Sequence, residues 1–247
     1  KHIKVWRDWI RFSHLPEFKQ LLHVMCHDLM NPILAASYFL EECIEEDIKL
    51  SEDPELKQLF KQSIGNSIEI IDSVRKVRAL EENKIALKLK AYSLSSLLEE
   101  SLNLIKPRFQ EKNIFIDNQI EGEFEVYVEK ALFVNSILNN VFTNALKFSP
   151  RDGVIYITAN KQDGLVNLSI CDNGIGIPES LLANLFDYGK MISRPGTEGE
   201  SGTGFGMSLM KKFVEAFGGE IEVLSRDVES YPNDSGTDIC ISLKSDI

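Results

Sequence analysis

Apolar residues in the first third of the chain recur at steps of three and four. Leu21, Leu22, Met25, Leu29, Ile33, Ala36 and Leu40 form one stripe, and Leu56, Leu59, Phe60, Ile64, Ile68, Ile71, Val74, Val77 and Leu80 a second. This period predicts two long amphipathic helices. Pro32 lies inside the first and predicts a kink or a local opening of its hydrogen-bond ladder. The acidic stretch 41–55 separates the stripes. Within it, Ser51-Glu52-Asp53-Pro54 reads as a turn into a helix start, with Pro54 in the first turn. Two such helices joined by a short loop make an antiparallel hairpin that buries only part of its apolar face. Pairing with a second copy, to give a dimeric four-helix bundle, completes the burial.

The pattern changes after Glu81-Glu82-Asn83. Residues 85–92 partly alternate and predict a strand, and 94–110 predict a helix interrupted late by Pro107. Short strands follow at 114–116 and 124–128, then a helix over 131–148. Runs 154–159 and 165–171 are β-rich and joined through Asp163-Gly164, a hairpin signal. A glycine-rich stretch, 189–206, separates a short helix from a helix over 207–217, and strands at 220–224 and 238–243 end the series. The mixture predicts an α/β sandwich with helices on one face of a mixed sheet. The chain thus divides into a leading segment 1–15, a helical unit 16–83 and an α/β unit 84–247, without internal repeats or low-complexity tracts.

Composition narrows the function classes. Of 247 residues 43% are hydrophobic and 26% charged, a soluble globular balance with enough apolar material for a core. The net charge of −11 repels phosphate backbones, which argues against non-specific nucleic-acid binding but permits a local nucleotide pocket. No apolar run approaches the roughly 18 residues of a membrane span, and residues 1–12 hold no signal-peptide core, so no membrane contact and a cytoplasmic location are expected. A start at Lys1 suggests a piece of a longer protein. Cys26, Cys43, Cys171 and Cys240 are scattered without a CxxC pair and read as small buried residues in a reducing compartment.

Three segments carry chemistry. Asp172-Asn173-Gly174-Ile175-Gly176-Ile177-Pro178 follows a strand. A carboxylate there, with glycines that let a ligand approach, suits an exocyclic amine, although an Asx/Gly turn has the same composition. Gly202-Thr203-Gly204-Phe205-Gly206 enters a helix, where free amides suit phosphate; a plain flexible loop is the alternative. It matches neither the P-loop nor the dinucleotide fingerprint. On the preceding long helix, Asn140, Asn144 and Lys147 stand at i, i+4 and i+7 on one face. Two amides and an ammonium there suit a hydrated Mg²⁺ and phosphate oxygens, or simply a solvated face.

Together and in this order, the asparagine helix, the Asp-Gly-x-Gly turn and the second glycine box resemble the GHKL (Bergerat-fold) ATPases, over roughly residues 85–245. Thr237, in Gly236-Thr237-Asp238-Ile239, matches the threonine that closes the family's adenine pocket. Within the first helical stripe, His27-Asp28-Leu29-Met30-Asn31-Pro32 resembles the H-box of HisKA-type sensor histidine kinases. The chain is accordingly similar to the catalytic core of such a kinase: a dimerisation and phosphoacceptor hairpin followed by an ATP-binding domain.

The resemblance implies ATP and Mg²⁺ as cofactors, a homodimer, and a response-regulator receiver domain as partner, on a separate chain or on the same native polypeptide. It implies that His27 accepts the γ-phosphoryl group, that Asp28 accepts the other ring N–H, and that Asn31 orients water for dephosphorylation of the regulator. Asn144, with Asn140, would hold the metal. Lys147 would steady a phosphate, Phe148 would lie on the adenine, and Asp172 would take the adenine amine. Gly174 and Gly176 would shape the pocket, and Gly202, Thr203, Gly204 and Gly206 would meet the phosphates. Residues 186–202 correspond to the lid, where Lys190 or Arg194 could touch the γ-phosphate, although each reads first as a solvated loop charge. Met30, Phe205 and the partly matched Leu185-Phe186-Asp187-Tyr188 depart from the family pattern without removing a reacting group. A nucleotide-binding scaffold that sequesters a partner through its helices is the alternative from another class. A GHKL ATPase clamp is a third reading, and it would need a transducer domain after residue 247.

Overall fold

The computed structural model describes residues 87–187, 194–200, 204 and 206–245, together with scattered positions between 33 and 71. Those scattered positions are all helical, in keeping with the two apolar stripes.

From Leu87 on, the structure is an α/β sandwich. Strand β1 (Lys90–Ser93) leads into helix α1 (Leu94–Glu111). Ser93 caps the helix by accepting from the Ser96 N–H, which satisfies one donor that the helix start leaves open. The helix runs through Pro107 instead of breaking there. Pro107 and Asn103 are both exposed, so the carbonyl that loses its helical partner stays open to water. Strands β2 (Phe115–Asn118) and β3 (Glu125–Val128) follow. A short helix α2 (Lys130–Leu132) then passes into a π-helical segment, Phe133–Leu138, and into helix α3 (Asn139–Phe148). Apolar spacing predicts one continuous helix here. The π segment instead inserts an extra residue per turn and buries Phe133, Val134, Ile137 and Leu138 together against α1.

Strands β4 (Val154–Gln162) and β5 (Leu165–Asp172) form the expected hairpin. Asp163 and Gly164 both have positive φ, 52° and 78°, the backbone of a two-residue turn whose twist matches the flanking strands. Helix α4 (Glu179–Leu182), helix α5 (Gly206–Ala216), β6 (Glu220–Arg226) and β7 (Gly236–Lys244) complete the order. The main sheet runs β2-β4-β5-β7-β6, with β2 parallel to β4 and the other pairs antiparallel; β1 and β3 make a separate antiparallel pair.

Side chains in β5 and β7 alternate between buried and half-buried, so one face of the sheet is dry. Helices α1, α3 and α5 and the π segment cover that face. Phe133, Phe142, Phe213 and Phe217 fill the space between. The Phe142 ring meets Phe109 of α1 edge-on at 6.3 Å. Cys171 and Cys240 are half-buried free thiols rather than core residues; burial, aided by Asp238, pushes both up to about 11, so neither is a thiolate at neutral pH.

Phe142→Ala should cost about 3–5 kcal/mol, since it empties a fully buried aromatic site beneath the asparagine helix. Urea unfolding should show a lower midpoint at an unchanged slope.

Candidate nucleotide site

The site is built around the end of β5. Asp172 is the last residue of that strand, on its dry face, and only 7% exposed. A carboxylate removed from water needs donors, and two backbone N–H groups supply them. Gly174 donates to Asp172 Oδ1 at 2.9 Å, and the Thr237 N–H also reaches the carboxylate. Thr237 is the cross-strand partner of Asp172 on β7 and is equally buried. Burial dominates and raises the carboxyl from 3.8 to about 6, against these two donors and the nearby Arg194.

Glycine is required around this carboxylate. A Cβ on Gly174 would stand 2.4 Å from the Phe148 carbonyl oxygen and 2.7 Å from Asp172 Oδ1. A Cβ on Gly176, at φ +63°, would run into the Arg226 carbonyl, and a Cβ on Gly236 would meet the Asp172 carbonyl at 2.2 Å. The turn is held at both ends. Ile175 N–H donates to Phe148 O at 3.0 Å, and Ile177 N–H to Ser225 Oγ at 2.8 Å. Ser225 in turn donates to the Gly236 carbonyl at 2.7 Å and shares a hydrogen bond with Thr237 Oγ1 at 2.9 Å. One hydroxyl therefore joins the Asp-Gly-x-Gly turn to the start of β7. Ser225 carries no motif, and its only sequence signal is its place at the polar end of a strand.

The asparagine helix meets the second glycine box directly. A Cβ on Gly206 would come within 3.1 Å of Asn140 Oδ1, and Asn144 Nδ2 lies 3.5 Å from Met207 Sδ. Asn140 Nδ2 donates to the Ser136 carbonyl at 2.5 Å. Both amide nitrogens are thus engaged by the protein, which leaves the oxygens as the ends suited to a cation. Among the described residues no group of three His, Cys, Asp or Glu side chains could hold a metal. The donor set therefore fits a hard cation bound chiefly through phosphate oxygens and water, with amide oxygens as its protein ligands.

Lys147 and Phe148 occupy the end of α3. Lys147 Nζ stands 4.9 Å from the Phe148 ring centroid, and the Arg194 guanidinium carbon stands 4.7 Å from the same ring. Arg194 also donates to the Gly176 carbonyl. It is half-buried, and burial lowers its pKa against the pull of Asp227 and Asp172. Arg194 is thus part of the site wall and not the solvated loop charge that its glycine-rich context suggests.

The structure brings Asn140, Asn144, Lys147, Phe148, Asp172, Gly174, Gly176, Gly206 and Thr237 to one end of the sheet. Gly204 is described, with φ +74°. Gly202, Thr203, Lys190, His27, Asp28 and Asn31 lie outside the described residues.

Residues 129–247 match the family described as histidine kinase-, DNA gyrase B-, and HSP90-like ATPase. The chain is 31% identical over 160 residues to the circadian input-output histidine kinase CikA of Synechococcus elongatus, covering 64% of this chain and 21% of that protein. It is 30% identical over 217 residues to the adaptive-response sensory kinase SasA of Gloeothece citriformis, covering 83% of this chain and 53% of that one. Residues 129–247 therefore carry a domain of that ATPase family, in a chain similar to sensor histidine kinases. The chain spans about a fifth and about half of these two relatives. The crystal structure of histidine kinase ThkA in complex with response regulator protein TrrA shares the fold of this chain at a TM-score of 0.71. The two are 20% identical, over 99% of this chain and 66% of that one. The ATPase domain at residues 129–247 implies ATP binding. No helix among the described residues is long and apolar enough to cross a membrane.

The raised Asp172 carboxyl has a pH signature. Between pH 3.8 and about 6 the folded chain keeps a proton that the unfolded chain has lost. Its contribution to stability is therefore full below pH 3.8 and is lost as pH rises through 6. Asp172→Asn should remove this fall in urea-unfolding curves between pH 4 and pH 6.5. It should raise the unfolding free energy of the nucleotide-free protein at pH 7.5 by about 1 kcal/mol or more, because a neutral amide escapes the burial cost.

Proposed function

We propose that this chain is the catalytic core of a two-component sensor histidine kinase that transfers the γ-phosphoryl group of ATP to His27 and then to an aspartate of a receiver domain. The observation that carries the reading is the convergence at one sheet end: a buried Asp172 carboxylate among glycines, beside a helix whose Asn140 and Asn144 abut the second glycine box.

In this reading Asp172 accepts from the adenine amine, with Gly174, Gly176 and Thr237 shaping the pocket. Asn140 and Asn144 would hold Mg²⁺, which would supply neutralisation of phosphate charge, and the chain's own residues supply position. Lys147 and the amides of Gly202, Thr203, Gly204 and Gly206 meet the phosphates, and Phe148 packs on the base. The lone pair of one His27 ring nitrogen forms the new N–P bond. The bond from the γ-phosphorus to the bridging oxygen breaks, and ADP leaves with that electron pair. Asp28 accepts the N–H of the other ring nitrogen, which sets the tautomer and raises nucleophilicity. A carboxylate of the receiver domain then takes the phosphoryl group. Asn31, one turn after His27, orients the water that dephosphorylates the regulator.

The phosphoacceptor unit in this reading is the hairpin 16–83, and 84–247 bind nucleotide. Two copies pair through their hairpins. In support, Ile64, Ile68 and Ile71 follow a helical stripe yet are 38%, 61% and 42% exposed in the single chain. The relatives' names and the ThkA–TrrA complex support the receiver partner. No observation favours the scaffold alternative.

Incubation with γ-labelled ATP and Mg²⁺ should give an acid-labile, alkali-stable phosphoprotein. His27→Gln should abolish that label and leave ATP affinity within twofold, as its pocket lies in the other unit; label at the wild-type level would reject His27 as acceptor. Asn31→Ala should keep autophosphorylation and lose regulator dephosphorylation, measured with the melting temperature on the same variant. Parallel loss of both rates and of stability would point to a purely structural Asn31.

A further inference from the structure

Lys112 lies outside every motif, one residue past α1, and is 4% exposed. Its ammonium has three donors, and each finds an acceptor: the Leu146 carbonyl at 2.9 Å, Thr197 Oγ1 at 2.7 Å and Glu200 Oε1 at 3.1 Å. The first lies near the end of α3; the other two lie 85 and 88 residues away, in the segment 194–200.

That segment grips the same helix end. Thr197 N–H donates to the Lys147 carbonyl at 2.9 Å, and Thr197 Oγ1 donates to the Ser149 carbonyl at 2.8 Å. A helix leaves its last carbonyls without intrahelical partners. Here those of Leu146 and Lys147, and that of the cap Ser149, are taken by Lys112 and Thr197. A cation at a helix C-terminus is also favoured by the helix dipole.

The segment is tightly folded. Gly196 N–H donates to Glu200 O at 2.8 Å, Gly199 N–H to Gly196 O at 3.1 Å, and Glu198 N–H to Glu200 Oε2 at 2.8 Å. A Cβ on Gly196 would stand 2.3 Å from Glu200 Oε2 and 2.7 Å from the Lys147 carbonyl. Upstream, Arg194 lies over Phe148; downstream, Glu200 stands two residues before Gly202.

We propose that Lys112 is a positioning residue for the nucleotide site: its ammonium clamps segment 194–200 to the end of α3, and so sets Arg194 relative to Asn140, Asn144 and Lys147. The proposal rests on the nucleotide-binding reading above. An ion pair with one buried end is a poor source of net stability compared with apolar packing, but it does dictate geometry, because a displaced Glu200 leaves the buried Lys112 charge short of a partner. Lys112 touches no substrate group in this account and acts only through the loop and the helix that do.

The test compares the full chain with Lys112→Met, Glu200→Gln and the double variant. Binding is read with a fluorescent ATP analogue and Mg²⁺, and turnover from γ-labelled ATP. Each single change should weaken nucleotide affinity and raise KM for ATP by about tenfold, the worth of one charge-assisted hydrogen bond, with kcat at saturating ATP within about twofold. The double variant should be no worse than Lys112→Met, as both changes break one clamp. Amide exchange at Gly196 and Thr197 should accelerate in each variant. Folded variants with unchanged affinity and unchanged exchange would overturn the proposal, as would additive losses in the double variant. If Lys112→Met does not fold, Glu200→Gln and Thr197→Val carry the same test from the more exposed side. A wild-type chain that binds no nucleotide would overturn this proposal and the pocket reading together. Failure to label His27 is a separate result, because the affinity comparison does not depend on that step.

Discussion

A carboxylate held out of water at the end of a central strand sets the terms for the nucleotide-binding end of this protein. The rise of Asp172 from 3.8 to about 6 corresponds to roughly 3 kcal/mol working against its charged form. That is what remains after the N–H groups of Gly174 and Thr237 have offset part of the burial, and those donors fix where the following turn and the neighbouring strand must run. Side chains cannot occupy the space this brings about, so Gly174, Gly176 and Gly236 line it. The same carboxylate, poorly solvated and only partly satisfied, is the group best placed to gain from a ligand that brings its own donor.

The second organising feature is the end of the asparagine helix. The π segment leads into it, and Phe142 packs edge-on against Phe109 beneath it. Its open carbonyls, however, are satisfied from outside, by Lys112 and Thr197. Helix end and loop therefore hold one another: Thr197 takes the Lys147 carbonyl, and Lys112 bridges the Leu146 carbonyl to Thr197 and Glu200. Phe148 sits at this junction between two cations, Lys147 and Arg194. Ser225 plays the matching part on the opposite side, where one hydroxyl ties the glycine turn to β7.

Much of this was legible in the sequence because it depends on local rules. β-Rich composition marked β4 and β5, Asp163-Gly164 marked their turn, and glycines marked the two boxes around a ligand. The three motifs were readable in order because each needs particular residue types within a few positions. Boundaries near Pro107 and the π segment were not readable. A proline is tolerated where its freed carbonyl meets water, and a π turn is chosen where an extra buried residue improves core contact; both depend on what lies across the interface.

The sequence alone determined which residues carry charge, amide or no side chain, and therefore which chemistry is possible: Asp172 for an amine, Asn140 and Asn144 for a hard cation, glycines for phosphate. Tertiary structure decided which groups meet. Lys112, Thr197, Glu200 and Ser225 had no local signal, because a lysine at a helix end, a threonine in a loop and a serine near a strand end are ordinary surface choices. Only the fold removes Lys112 from water, and removal from water is what obliges its ammonium to find three partners up to 88 residues away. Arg194 changed from a loop charge to a wall of the site for the same reason: its surroundings, and not its neighbours in the chain, set its solvation.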